Sequence, residues 1–68
     1  MRHRGEVLTP IEAAEIRALV ERIGERQARA ALLVSSQTLA RAVGQMHIQR
    51  VTATHVRTRL ALLRAEAA

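Results

Sequence analysis

Val34-Ser35-Ser36-Gln37-Thr38-Leu39-Ala40-Arg41-Ala42-Val43 is the stretch from which the rest of the chain can be read. Ser35 is placed to cap a helix, because a serine hydroxyl accepts from a backbone N–H that the first turn leaves unpaired. Leu39, Ala42 and Val43 then recur at helical spacing, and Gly44 closes the run. The spacing predicts a helix from about Ser36 to Val43, apolar on one side and polar at its amino end.

Immediately upstream, Glu25-Arg26-Gln27-Ala28-Arg29-Ala30-Ala31-Leu32-Leu33 predicts a second short helix, whose alanines let it approach its neighbours closely. Two helices of this length joined by a tight turn make an αα corner. Further upstream, Thr9-Pro10-Ile11-Glu12 combines a capping threonine, a proline suited to the first helical position and a reciprocal glutamate. Ile16, Leu19, Val20 and Ile23 follow at helical spacing, so a helix over Pro10 to Ile23 is expected, with Gly24 as a left-handed stop. Glu12, Glu15, Arg17, Glu21 and Arg22 decorate its outer side. On that side the carboxylates are expected to titrate normally, and Arg17 and Glu21 to form a weak pair. Residues 1–7 read as a flexible arm ahead of a single domain over 8–68, with Arg2 and Arg4 able to reach a nucleic-acid groove.

Downstream, Gln45 to Val51 reads as a connector with Met46 and Ile48 tucked toward the core. Thr52 or Thr54 is expected to cap a last helix carrying Val56, Leu60 and Leu63 on one stripe, with Ala61 and Leu62 beside it. That stripe is wide for so small a domain, and Leu60 and Leu63 are the expected contacts of a homodimer. The architecture is thus all-α, a compact bundle of four or five helices.

Composition narrows the class. The 68 residues include thirteen alanines, no cysteine and no aromatic residue, so the core must be thin, aliphatic and closely packed. Disulfides and thiolate chemistry are excluded. No apolar run approaches the ~18–20 residues that span a bilayer, and the expected location is the cytoplasm.

Charge is segregated along the chain. Residues 1–25 hold four arginines and five glutamates, whereas residues 26–65 hold seven arginines and no acid. A stretch of that kind cannot neutralise itself, and its natural partner is a polyanion.

The segment Val34-Ser35-Ser36-Gln37-Thr38-Leu39-Ala40-Arg41 resembles the turn and recognition helix of bacterial and phage helix-turn-helix regulators, whose common form is Val-Ser-x-x-Thr-Leu/Ile-x-Arg. The Leu8-Thr9-Pro10 opening, the Gly24-x-x-Gln27 step and Gly44 are similar to the Cro and lambda-repressor-like group. The likeness runs from about residue 8 to 64. Two positions depart from it: Leu33 stands where a turn glycine is usual, and Arg29 where a small buried alanine is usual. Either Leu33 tolerates a left-handed backbone, or the turn has another length and Ala28 or Ala31 supplies the small contact.

The resemblance implies a sequence-specific regulator of transcription, a repressor or autoregulator that binds double-stranded DNA as a homodimer. The helix from about Ser36 to Val43 would enter the major groove. There Ser36, Gln37, Thr38 and Arg41 would face base edges, with Gln37 suited to adenine and Arg41 to guanine. Arg26, Gln27, Ser35, Arg50 and Arg57 would meet phosphates. Arg59 and Arg64 would point elsewhere.

Enzyme chemistry finds no support. His3, His47 and His55 have no cysteine or aspartate with which to build a metal site, Ser35 and Ser36 have no positioned base, and no glycine loop cradles a phosphate. No cofactor and no small-molecule substrate are expected. The alternative function is a basic protein-interaction or assembly module, an adaptor or phage component without sequence readout.

Overall fold

The computed structural model describes residues 5–67, which form four helices: α1 over Pro10–Ile23, α2 over Glu25–Leu32, α3 over Ser36–Val43 and α4 over Arg50–Ala67. Residues 1–4, including Arg2, His3 and Arg4, lie outside the described residues.

α1 starts where its caps require. The Thr9 hydroxyl accepts from the Glu12 N–H at 3.1 Å, and the Glu12 carboxylate accepts from the Thr9 N–H at 2.8 Å. It stops at Gly24, whose backbone (φ 87°, ψ 159°) is not the expected left-handed helical one but an extended conformation of positive φ, open essentially to glycine alone. α2 begins at the next residue, so this single glycine makes the corner between the two helices.

Three residues, Leu33, Val34 and Ser35, join α2 to α3. Leu33 is left-handed (φ 57°, ψ 49°), so leucine here takes the conformation that glycine holds most easily. The small contact is Ala28, fully buried on α2, while Arg29 lies half-buried beside it. Ser35 caps α3 as its position predicts, accepting from the Thr38 N–H at 3.1 Å. At the other end of α3, Gly44 is right-handed and Gln45 takes the positive φ of 55°.

The connector of residues 44–49 is not a free loop. Glu6 and Ile48 exchange two backbone hydrogen bonds, at 2.7 and 2.9 Å, as an isolated antiparallel bridge. The expected arm is therefore docked from Glu6 onward. Ile48 is buried, but Met46 is exposed, against expectation. α4 begins at Arg50, ahead of both threonines offered as caps; the Ala53 N–H bonds the Gln49 carbonyl at 2.9 Å.

The core gathers Leu8, Ile16, Leu19, Ala28, Leu32, Leu39, Ala42, Ile48, Ala53, Val56 and Leu60 from every element. Alanines at the contact points of α2, α3 and α4 let the helix backbones approach closely. Burying one leucine here removes apolar surface from water and stabilises by roughly 1.5–3 kcal/mol, so the ring of large aliphatic side chains carries the fold. Leu60 belongs to this core and Leu63 packs against it. Of the pair expected to hold a second subunit, Leu60 is taken up by the chain's own interior, Leu63 stays partly exposed, and Leu62 is the exposed leucine of that helix.

The α1 carboxylates also differ from expectation. Instead of decorating a solvated side, Glu12 receives the Arg57 guanidinium at 2.7 and 3.2 Å, and Glu15 receives that of Arg64 at 2.7 and 3.0 Å. Arg57 also reaches Glu6 at 3.3 Å. The guanidinium hydrogen bonds hold both carboxyls below their ordinary range, against the opposing effect of burial. Arg17 donates to the Val43 carbonyl at 3.4 Å, and no Arg17–Glu21 ion pair is present among the described residues. No helix among the described residues is long and apolar enough to cross a membrane.

Candidate nucleic-acid interface

α3 turns Leu39 and Ala42 into the core, which fixes where its remaining side chains go at about 100° per residue. Gln37 and Arg41, four residues apart and so about 6 Å apart along the axis, share the outward face. Both are exposed, and among the described residues neither side chain makes a hydrogen bond or ion pair within the protein. Ala40 is exposed as well, on the same outward half of the helix. A methyl there leaves room for close approach and offers an apolar contact of the kind that suits a thymine methyl.

Ser36 and Thr38 sit on the flanks. The Ser36 hydroxyl donates to Glu25 at 3.3 Å, on the side facing α1 and α2. Thr38 is half-buried toward α4, and its hydroxyl accepts from that of Ser35 at 3.1 Å. The four residues expected at base edges therefore divide into two that point outward unpaired and two engaged in holding the helix end. Ser35 is the cap, with its hydroxyl committed to the Thr38 backbone and side chain.

The expected phosphate contacts divide in the same way. Arg26 and Gln27 are exposed at the amino end of α2, and Arg50 at that of α4. Among the described residues no carboxylate lies within ion-pair distance of Arg26, Arg41 or Arg50. Neither α3 nor α4 carries an acid in its first turn, so the partial positive charge of the helix amino end is unopposed there. Arg57 is excluded from this surface, because Glu6 and Glu12 enclose its guanidinium. Four of the seven arginines in the acid-free stretch hence remain available or are only partly engaged: Arg26, Arg41 and Arg50, with Arg29 in a long pair with Glu25 at 3.7 Å.

Two residues beside Arg41 were not read from the sequence as part of this surface. His47 and Gln49 line one shallow concavity with Arg41 and Gly5, and both are exposed. The signal was the alternation of an extended segment: with Ile48 turned inward, its neighbours on either side must turn outward. Gly5 makes the close approach possible, since a Cβ there would stand 2.6 Å from the Ile48 carbonyl oxygen.

The surface assembled this way is a short helix with an amide and a guanidinium facing out, bordered by unpaired arginines and polar groups. Such groups can donate to phosphates and to base edges; no group of three or more potential metal ligands exists among the described residues. Compared with protein-family models, curated proteins and solved structures, the chain matches none.

Proposed function

We propose that this protein is a sequence-specific double-stranded DNA-binding regulator of transcription, with α2, the Leu33 turn and α3 acting as a helix-turn-helix. The observation that carries this reading is the pair Gln37 and Arg41, outward on α3 and free of intramolecular partners among the described residues. Lying in the major groove, α3 directs the Gln37 amide at an adenine edge and Arg41 at a guanine or a nearby phosphate. Arg26, Gln27 and Arg50 meet the sugar-phosphate backbone and fix the register. Ser36 and Thr38 act through the helix end rather than through bases.

Regulation is by occupancy. One domain supplies few base contacts, and two copies on an inverted repeat double them.

The test is fluorescence anisotropy on random duplex DNA and on DNA from upstream of its own gene, at two salt concentrations. The proteins compared are the full chain and a Gln37→Ala/Arg41→Ala double variant. Tighter binding upstream, lost in the double variant, is expected. Absence of duplex binding at low salt overturns the reading.

A further inference from the structure

Leu33 combines two costs. It holds a left-handed backbone that glycine would hold without strain, and its side chain is 62% exposed, so the fold gains little from it. Across a shallow concavity stands a second apolar side chain in water, Val51 in the first turn of α4, 71% exposed. Val34 and Thr38 form part of the floor between them. On its other side Leu33 walls a second concavity, whose rim carries Arg26 and Arg29. Leu33 is thus a ridge between two hollows, and Arg50 directly precedes Val51 at the amino end of α4.

We infer that this ridge is a docking surface for an acidic amphipathic helix of another protein. Its apolar side chains cover Leu33 and Val51, and its carboxylates meet Arg26, Arg29 and Arg50. The charge selects this occupant. A second copy related by a twofold axis would set these arginines against their own equivalents. A nucleic-acid backbone would satisfy the guanidinium groups but leave the two apolar side chains against phosphate and sugar. Arg26 and Arg50 are also the arginines proposed above to meet DNA phosphates, so on that reading the helix and DNA compete for them.

The probe is a labelled synthetic helix of roughly 18 residues, about five turns, with leucines along one face and glutamates elsewhere. Its control is a scramble of the same composition without that face. Titrated with the full chain, the amphipathic peptide is expected to bind and the scramble to bind at least about tenfold more weakly. Leu33→Gly and Val51→Ser are each expected to weaken binding at least about tenfold, whereas Ile11→Ser, at an exposed apolar residue of α1, leaves it unchanged. Because glycine relieves the backbone at position 33, Leu33→Gly retains its melting temperature, which separates lost docking from lost folding. Equal binding of peptide and scramble, or undiminished binding by Leu33→Gly and Val51→Ser, overturns the inference. So does a dimer in sedimentation that Leu33→Gly dissociates, which assigns the ridge to a second copy. Loss of duplex DNA affinity in these variants without any peptide binding likewise overturns it, assigning the ridge to the DNA face.

Discussion

The Nε2 of His55 lies 2.9 Å from the carbonyl oxygen of Leu32. One turn further along α4, the Nε of Arg59 donates to the Ala31 carbonyl at 3.0 Å. α4 therefore closes the carboxyl end of α2, where carbonyl groups lack helical partners and positive charge is favoured. That end leads directly into Leu33, so the angle between α2 and α3 is set from α4. His55→Ala and Arg59→Ala should each lower stability by about 1 kcal/mol, read as a reduced urea midpoint at unchanged slope. His55→Gln, which can keep a donor, should lose less.

Two positions of positive φ should respond oppositely to similar changes. Gly24→Ala places a Cβ on a backbone that only glycine occupies comfortably, although space around it is open, and should cost about 1–3 kcal/mol. Leu33→Gly removes left-handed strain of about 1–2 kcal/mol but adds roughly 0.4–1 kcal/mol of unfolded-chain entropy. Its net effect is neutral to slightly stabilising. Thermal melts of the two variants would check the pair of signs.

Acid sensitivity follows from the α1–α4 ion pairs. Glu12 and Glu15 have depressed carboxyl values in the folded protein. The stability they add is fully present above the unfolded glutamate value, about 4.3, and is lost as pH falls through the folded value below it. Unfolding free energy from these pairs should be level from pH 7 to about 5 and fall below that. Arg57→Ala should cost about 0.5–1 kcal/mol at pH 7, the partly exposed guanidinium being screened by solvent, and should flatten the acid limb. Urea titrations at several pH values measure both.

On the proposed DNA-binding reading, salt dependence should distinguish arginines that meet phosphates from those that hold the fold. Arg26→Ala and Arg50→Ala should each reduce the log–log slope of DNA affinity against salt by about 0.9 and weaken all duplexes alike. Arg57→Ala should leave that slope unchanged. Equal slopes for all three variants would contradict the division of the arginines made above.

What could be read from sequence was what local signals control. α1 was legible to the residue, because Thr9, Pro10, Glu12 and Gly24 all act within one turn of its ends. α3 was legible from Ser35 and the Leu39 and Ala42 spacing, and the same wheel separates Gln37 and Arg41 from Ser36 and Thr38. Leu33 was ambiguous, since the side chains that close the end of α2 just ahead of it, His55 on the Leu32 carbonyl and Arg59 on that of Ala31, come from more than twenty residues away. The start of α4 was misplaced because the helix already begins at Arg50, ahead of both threonines, which gave a false signal. Arg57 was misread as a phosphate contact, and Glu12 and Glu15 as solvated, for a single reason. Their partnerships span 45 to 51 residues and exist only once α4 lies on α1.

Those same separations give the molecule an order of assembly. α1, α2 and α3 follow one another across one glycine and a three-residue turn, so their mutual contacts close short loops, whereas α4 must return across most of the chain. Short-range contacts form first because they fix less chain entropy, and remote ones arrive late. Side chains of α4, such as Leu60 and Arg57, should then govern the unfolding rate and leave the folding rate nearly untouched. During synthesis the consequence is sharper: the first three helices can collapse as they emerge, yet α3 acquires its final pose only after His55 and Arg59 have left the ribosome and latched the end of α2.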